Sequence, residues 1–307
     1  MNKDFLQVSD LSTVEFSALL DLAAAMKRDR NGWAKALAGV QAVLLFDKPS
    51  LRTRVTFEVG VRELGGDAMS LGSAEVGLGA RESAEDVARN LERWVRLVVV
   101  RTFAHAQVER LAAAAPRLHV VNALTDEHHP CQALADFLTL AERWGALRGR
   151  RLAWVGDGNN VCHSLMQAAA LSGVHMAVAT PRGYAPAANV VAGARAAARR
   201  SKARLDLTHD PVAAVRRADA IYTDVWASMG QEKEAQKRRR LFRSYQVNRK
   251  LLAKARPDAL VMHCLPAHRN EEITDEALDS PRSVVFDQAE NRLHAQKALL
   301  ATLLGVA

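Results

Sequence analysis

The stretch AVLLFDKPSLRTR, residues 42–54, joins an apolar run to the start of a predicted helix. The apolar run predicts a buried strand, and the SLRTR segment places two guanidiniums and two hydroxyls where the helix begins. A helix N-terminus offers unpaired N–H groups and partial positive charge, so this segment predicts a pocket for a phosphate dianion. A capped surface helix, with Ser50 as N-cap and arginine–glutamate pairs on a solvated face, is the alternative that this segment alone leaves open.

The same alternation of apolar runs and amphipathic stretches continues along the chain. We predict strands at Val43 to Phe46, Leu97 to Arg101, His119 to Val121, Leu152 to Val155, Met176 to Ala179, Ala220 to Tyr222 and Leu260 to His263. Helical patterns fall between them, at Thr13 to Met26, Ala84 to Trp94, Cys131 to Arg143, Val161 to Leu171 and Val212 to Arg217. Such alternation is typical of βαβ units and predicts the α/β class, with two doubly wound parallel-sheet domains.

A polar break at Arg148 to Arg151 separates the two series of elements. We therefore predict a first domain over residues 1–138 and a second over 139–288, linked by long helices, one of them near Pro130 to Trp144. The final helical pattern, within residues 289–307, is expected to return to the first domain.

Composition narrows the class of protein. The 307 residues are 49% hydrophobic and 25% charged, as in a globular protein, and no stretch of about 18 apolar residues predicts a membrane span. The start of the chain lacks the apolar segment of a signal peptide, so we expect a cytoplasmic protein. Three scattered cysteines argue against disulfides and structural zinc, and we expect no metal and no cofactor.

The net charge of +8 raises the question of a nucleic-acid partner. Much of the excess falls in one run, KEAQKRRRLFR from Lys233 to Arg243, and aromatic residues make up only 5% of the chain. Because aromatic side chains for base stacking are scarce, we expect no nucleic-acid partner, and we expect no membrane partner either.

Two segments in the first half of the chain carry polar residues suited to an anion. Arg101 ends an apolar strand, and HHPCQ, His128 to Gln132, opens the next helix. His129 and Gln132 are three residues apart, so both can face one ligand and stabilise a carbonyl oxygen that gains negative charge. A capping histidine and a packed glutamine remain the alternative for this motif alone.

Three segments in the second half follow predicted strands. GDGNN, Gly156 to Asn160, is not a dinucleotide fingerprint because Val161 occupies the third glycine position; its asparagines fit a polar ligand contact or a helix cap equally well. Asp224 in TDVWASMGQE and Cys264 in HCLP follow strands of one predicted sheet, so they can converge on one group, and the carboxylate would hold an ammonium. Cys264 could instead be a buried, inert thiol.

The whole set of motifs resembles the carbamoyltransferases, and within them the ornithine carbamoyltransferases. The segments that carry the resemblance occur in the family's order and spacing over nearly the whole chain: FDKPSLRTRVTFEVG, HHPCQALAD, VGDGNNVCHSLM, TDVWASMGQE, MHCLPAHRNEE and VFDQAENRLHAQK. The resemblance implies transfer of a carbamoyl group from carbamoyl phosphate to the side-chain amine of ornithine, in arginine metabolism.

The resemblance also implies the residues of the site. The carbamoyl-phosphate contacts would be Ser50, Leu51, Arg52, Thr53, Arg101, His129, Gln132, Cys264, Leu265 and Arg292, in the first domain and its returning helix apart from Cys264 and Leu265. The ornithine contacts in the second domain would be Asn160, Asp224, Ser228 and Met229, and the catalytic residues would be Arg101, His129, Asp224 and Cys264. A homotrimer, or a multiple of trimers, is the assembly that it implies.

Two departures from the family pattern stand out. Many members read STRTR where this chain has Leu51, and many carry glutamine where Gly77 aligns. Two other functions stay open. The SLRTR segment is compatible with a carbamoyltransferase for an acylated ornithine. A non-catalytic basic binding module is the other, because fold alone does not fix function.

Overall fold

The computed structural model describes residues 1–79, 81–228, 230 and 232–306. The chain divides into two compact units: the first comprises Met1–Leu138 and Glu290–Ala307, and the second comprises Thr139–Ala289. The chain passes from one unit to the other inside two long helices, α6 (Pro130–Trp144) and α13 (Val285–Leu303).

The first unit is built on a four-stranded parallel sheet in the order β2-β1-β3-β4. Its strands are β1 (Gln41–Phe46), β2 (Asp67–Gly72), β3 (Leu97–Arg101) and β4 (His119–Leu124). Its helices, besides parts of α6 and α13, are α1 (Thr13–Arg28), α2 (Leu51–Glu63), α3 (Ser73–Val76), α4 (Ala84–Trp94) and α5 (His105–Ala114). A short 3-10 turn at Val8–Asp10 precedes α1.

The second unit is built on a five-stranded parallel sheet in the order β7-β6-β5-β8-β9. Its strands are β5 (Arg151–Val155), β6 (His175–Ala179), β7 (Leu205–Thr208), β8 (Ala220–Thr223) and β9 (Leu260–His263). Its helices are α7 (Asn160–Ser172), α8 (Ala188–Ser201), α9 (Pro211–Val215), α10 (Ala235–Phe242), α11 (Arg249–Leu252) and α12 (Asp275–Leu278), with 3-10 turns at Glu232–Glu234 and Arg243–Tyr245. The α/β class and the parallel sheets predicted from the sequence are confirmed.

Each sheet has a switch point, where successive strands are added on opposite sides. In the first sheet the switch lies between β1 and β3, and in the second it lies between β5 and β8. In open α/β sheets, ligands bind beyond the carboxyl ends of the strands at such a switch point. The sheet orders therefore place the candidate site segments after β1, β3, β5 and β8.

Both sheets are apolar on the strands that build them. In the first unit, Val43, Val98 and Val120 pack with residues of α4 and α5 in one buried cluster. In the second, Ala153 and Val261 pack in another cluster. Burial of apolar side chains at each strand fixes the register of the sheet and so the position of each loop at its carboxyl end.

The two strands missing from our prediction, β2 and β7, are both edge strands. The β2 sequence DAMSLG is only partly buried, and β7 has four residues with an exposed middle. An edge strand pairs on one side only, so it needs neither a continuous apolar run nor strong strand propensity.

The C-terminal half of α13 belongs to the first unit, as the sequence predicted. Lys297 on this helix is fully buried and its ammonium donates to Glu63 on α2 at 2.9 Å. Lys27 on α1 donates to Asn291 at 2.8 Å. These contacts join the last segment of the chain to the first two helices of the unit.

In the part of the chain that the structure describes, no helix is both long enough and apolar enough to cross a membrane.

The buried imidazole of His294, on α13, predicts a loss of stability in acid. The residue is 2% exposed, and burial followed by the charges of Lys27 and Lys297 lowers its pKa from 6.5 to about 4. Between these pH values the unfolded chain binds a proton that the folded chain does not. The free energy of unfolding therefore falls as the pH drops from 6.5 to 4, by at most about 3 kcal/mol from this group.

Thermal unfolding of the wild type and a His294→Gln variant at pH 7 and pH 5 tests this effect. Glutamine does not titrate, so the variant should lose less of its melting temperature between the two pH values than the wild type loses. His268→Gln, at an exposed position, serves as the control and should follow the wild type. Equal losses in all three proteins would contradict a depressed pKa at His294.

Candidate active site

In the first unit, three loops at the carboxyl ends of β1, β3 and β4 carry the candidate anion site. Backbone hydrogen bonds join them in pairs: the Asp47 N–H donates to the Arg101 carbonyl at 2.9 Å, and the Asp126 N–H donates to the Phe103 carbonyl at 2.8 Å. The sheet order places the loop that carries Arg101 between the loops that carry SLRTR and HHPCQ, an order that the sequence alone did not predict.

The SLRTR segment is the first turn of α2. Ser50 is the N-cap, and its hydroxyl accepts a hydrogen bond from the Thr53 N–H at 3.3 Å. The first turn carries no acidic residue. Arg54 in this turn pairs with Glu58 on the same helix at 3.1 Å. Arginine in the first turn opposes the helix dipole, and an anionic ligand at this turn would offset that cost.

Arg292 of α13 connects the two helix starts. Its guanidinium donates to the Thr53 hydroxyl at 2.7 Å and to the side-chain oxygen of Gln132. Gln132 in turn donates to the buried carboxylate of Asp136 at 2.8 Å. A residue 160 positions from Gln132 therefore joins the predicted phosphate segment to the predicted carbonyl segment.

His129 lies in a strongly positive setting. Its pKa is held well below 6.5, first by burial and then by the guanidiniums of Arg292, Arg101 and Arg52, while a backbone hydrogen bond at Ala123 acts in the opposite direction. The imidazole is therefore neutral at neutral pH and can donate one N–H without carrying charge. Positive charge from three guanidiniums around one neutral ring is the setting that the predicted anion site requires.

In the second unit, loops after the adjacent strands β5, β8 and β9 bring three polar side chains together. The thiol of Cys264 donates to one carboxylate oxygen of Asp224 at 3.1 Å, and the side-chain amide of Asn159 donates to the other at 2.8 Å. The predicted convergence of Asp224 and Cys264 is thus present in the structure. Asn159 also caps α7 through the N–H groups of Val161 and Cys162.

Asn159, which is not among the predicted ornithine contacts, makes this hydrogen bond with Asp224. Asn160 is the first residue of α7, and its side-chain oxygen accepts from the Val161 N–H at 2.9 Å. The GDGNN pattern therefore provides a helix cap, one of the two interpretations that the sequence left open, while the ligand contact of Asn160 stays a prediction.

A buried arginine, Arg238 on α10, supports both loops of this cluster. Its guanidinium donates at 2.8 Å to Asp157 in the β5–α7 loop and at 2.8 Å to the Trp226 carbonyl in the loop after β8. It also lies over the ring of Tyr184. Arg238 belongs to the basic run Lys233 to Arg243, and the structure buries this arginine against two loops of the candidate amine site.

Gly158 is required by its surroundings in the β5–α7 loop. A Cβ at this position would lie 2.3 Å from the backbone nitrogen of Pro186. No other residue fits without moving the chain, so the glycine lets the loop approach its neighbour closely.

The remaining predicted contacts of the second unit are placed as follows. Ser228 is half-buried in the loop that carries Asp224, and Met229 lies outside the described residues. The Leu265 N–H donates to Nδ1 of His263 at 2.9 Å, with Leu265 in the left-handed region at φ 58°. Cys264 and Leu265, predicted to contact carbamoyl phosphate, thus belong to the same unit as the predicted ornithine contacts.

The two departures from the family pattern have local explanations. Leu51 is 75% exposed as the first residue of α2, so its side chain makes little contact within this chain. Gly77 has a φ of 62°, and its carbonyl accepts from the Arg81 N–H at 2.8 Å. A side chain at residue 77 would be strained, because a Cβ there would lie 2.8 Å from that of Arg81.

Metal binding would have to disrupt existing hydrogen bonds. Two groups of side chains have ligand atoms close enough together to hold an ion: Asp224, His263 and Cys264, and His268, Glu271 and Glu272. Both ring nitrogens of His263 are engaged, with Leu265 N–H and with the buried carboxylate of Glu272. Glu271 pairs with Arg239 at 2.7 Å.

Family comparisons cover the chain almost end to end. Residues 3–142 match the model described as the carbamoyl-P binding domain of aspartate/ornithine carbamoyltransferase, and residues 148–303 match its Asp/Orn binding domain. The chain belongs to the aspartate/ornithine carbamoyltransferase family.

Several individual relatives are named ornithine carbamoyltransferase. A curated ornithine carbamoyltransferase of Acidothermus cellulolyticus is 52% identical, covering 100% of this chain and 98% of that protein. The solved ornithine carbamoyltransferase of Pyrococcus furiosus is 48% identical with a TM-score of 0.95, over 98% of this chain and 97% of that one. An acetylornithine transcarbamylase structure complexed with acetylcitrulline is 32% identical with a TM-score of 0.88, over 98% of both chains.

Proposed function

We propose that this chain is an ornithine carbamoyltransferase, which transfers the carbamoyl group of carbamoyl phosphate to the side-chain amine of L-ornithine. The products are L-citrulline and phosphate. The observation that carries the proposal is the pair of complementary clusters at the two switch points. In the first unit, Arg292 joins Thr53 to Gln132, and burial together with nearby guanidiniums lowers the pKa of His129. In the second unit, the carboxylate of Asp224 accepts hydrogen bonds from a thiol and an amide.

The first unit binds carbamoyl phosphate in this proposal. The first turn of α2, with Ser50, Leu51, Arg52 and Thr53, holds the phosphate through backbone N–H groups and the guanidinium. Arg101 and neutral His129 contact the carbonyl oxygen as negative charge develops, and Gln132 and Arg292 hold these segments in place. A donor placed in this way stabilises a transition state by about 2.7–4 kcal/mol.

The second unit binds ornithine through Asn160, Asp224, Ser228 and Met229, with Asp224 holding the α-ammonium group. The side-chain amine titrates near about 10.4 in water, so it must lose a proton before it can attack. Its nitrogen lone pair forms the bond to the carbonyl carbon, and the bond from that carbon to the phosphate oxygen breaks. The departing phosphate dianion is a suitable acceptor for the amine proton. Cys264 and Leu265 complete the proposed contacts with carbamoyl phosphate.

Two alternatives make different use of these residues. An acylated ornithine has no α-ammonium group, which leaves Asp224 without the charge that it would hold. A non-catalytic basic module has no need of buried guanidiniums around a neutral histidine, but it would bind DNA in a salt-sensitive manner.

A citrulline assay on the purified protein separates these functions. Carbamoyl phosphate is supplied with ornithine, N-acetylornithine or aspartate, and we expect turnover with ornithine alone. Turnover only with the acetylated amine would identify the rival enzyme. Absence of turnover with every acceptor, together with a salt-sensitive DNA gel shift, would support the binding module.

The proposal extends to setting and assembly. We propose that the reaction belongs to arginine biosynthesis. We also propose that the protein is cytoplasmic. Cys131, Cys162 and Cys264 form no disulfide in the described part of the chain, which suits a reducing compartment. A homotrimer is the proposed assembly, and the exposed apolar side chains of Leu51 and Val55, one turn apart on α2, are suited to a subunit contact.

A further inference from the structure

Lys48 is a buried lysine just before the phosphate segment. It is 5% exposed, in the loop between β1 and α2. Its ammonium pairs with the carboxylate of Asp126 in the β4–α6 loop. The same ammonium lies 4.1 Å from the centroid of the Phe103 ring in the β3–α5 loop. One side chain therefore touches all three loops that carry the anion site.

Each of these contacts lies close in sequence to a residue of the site. Lys48 is two residues before Ser50, Phe103 is two residues after Arg101, and Asp126 is three residues before His129. A shift of any of the three loops would move a predicted contact by a similar amount.

The sheet alone does not connect the outer two loops. Strands β1 and β4 are not neighbours, because β3 lies between them. The Lys48–Asp126 pair spans this gap between the two loops, in addition to the link that Arg292 makes between the two helix starts.

We infer that Lys48 is a positioning residue that, through Asp126 and Phe103, sets the spacing between the start of α2 and His129 and so favours carbamoyl phosphate over inorganic phosphate. The inference rests on the proposed function. Inorganic phosphate needs only the start of α2, whereas carbamoyl phosphate must reach both segments at once. The loss of fixed spacing should therefore weaken one ligand far more than the other.

Three variants and one control test the role. Lys48→Met keeps an unbranched apolar side chain over Phe103 but removes the charge, and Asp126, with a side chain 58% exposed, then remains hydrated. Asp126→Asn weakens the pair from the other side. Lys48→Arg keeps a cation that can still contact both partners. Lys35→Met, at an exposed position, is the matched control.

Calorimetry with fresh carbamoyl phosphate and with inorganic phosphate measures both affinities without turnover. We expect Lys48→Met and Asp126→Asn each to raise the Kd of carbamoyl phosphate about tenfold and that of phosphate less than twofold. The double variant should be no worse than Lys48→Met, because both changes remove the same link. Lys48→Arg should recover most of the affinity, and Lys35→Met should match the wild type.

The competing explanations give different patterns. If Lys48 acts only by its charge, Lys48→Met weakens both anions equally and Asp126→Asn strengthens both. If it only stabilises the fold, the melting temperature falls and both affinities change together. Either pattern, or wild-type affinities throughout, overturns the inference.

The proposed function is tested separately in the same proteins. Wild-type protein that binds carbamoyl phosphate but does not convert ornithine would refute the proposed function while leaving the binding comparison decisive for Lys48. Wild-type protein that does not bind carbamoyl phosphate would refute both.

Discussion

Replacing Arg52 with alanine is expected to lower kcat/KM for carbamoyl phosphate by about a thousandfold while leaving the protein folded. The guanidinium acts on His129 from the first turn of α2, where the phosphate is proposed to bind. Removal of one such charge-assisted donor from a buried site costs about 10²–10³ in rate, and loss of phosphate affinity adds to this.

The folded state should tolerate the change. Arg52 is half-buried, alanine has the highest helix propensity, and a cation in the first turn is unfavourable to the helix dipole. We therefore expect the melting temperature of unliganded Arg52→Ala to stay within a few degrees of the wild type, which corresponds to less than about 1 kcal/mol.

Arg62→Ala is the matched control for this experiment. Arg62 is exposed on the last turn of the same helix, so its removal changes the net charge equally without touching the proposed site. Wild-type kinetics in Arg52→Ala, or an equal loss in Arg62→Ala, would show that the start of α2 is not the phosphate site.

Asp224→Asn is expected to raise KM for ornithine by about a hundredfold or more. Asparagine has the same shape, and its side-chain oxygen can still accept a hydrogen bond from Cys264 or Asn159, but it lacks the negative charge that would hold an ammonium group. Hydrogen bonds between charged groups are roughly twice as strong as neutral ones, so the loss should fall on the cationic substrate.

Steady-state kinetics with each substrate varied in turn separates this effect from a general loss. KM for carbamoyl phosphate should change less than threefold, because the predicted contacts of that ligand are otherwise retained. Asp258→Asn, at an exposed position in the same unit, should behave as the wild type. Comparable increases in both KM values would contradict a specific role of Asp224 in ornithine binding.

Local patterns predicted every described strand except the edge strands β2 and β7, and with them most of the loops of the candidate site. The apolar runs that became β1, β3, β5, β8 and β9 are buried, so their composition reflects the core directly. Polar residues directly after these strands could be assigned to one edge of each sheet, because parallel strands end on the same side. This reasoning is sufficient for Arg101, Asp224 and Cys264.

Other features depended on contacts between residues far apart in the chain. Arg292 entered the predicted site only through the resemblance, since no local pattern around it indicates a contact with Thr53 and Gln132. In the sequence, Arg238 is one of several cations in a basic run. In the structure it is buried and pairs with Asp157. Lys48 lies just before the SLRTR motif, and no local pattern around it indicates its contacts with Phe103 and Asp126.

The amino-acid sequence by itself determined the α/β class, the alternation of strands and helices and the loops where chemistry was expected. These features depend on which neighbouring residues are buried, and burial shows directly in the pattern of apolar residues. Only the tertiary structure decided that Asn159 contacts Asp224, that Arg238 is buried and that Lys48 pairs with Asp126 between the loops after β1 and β4. Such choices depend on the distances between loops, which are set by the order of strands in the sheet rather than by the residues of any one loop.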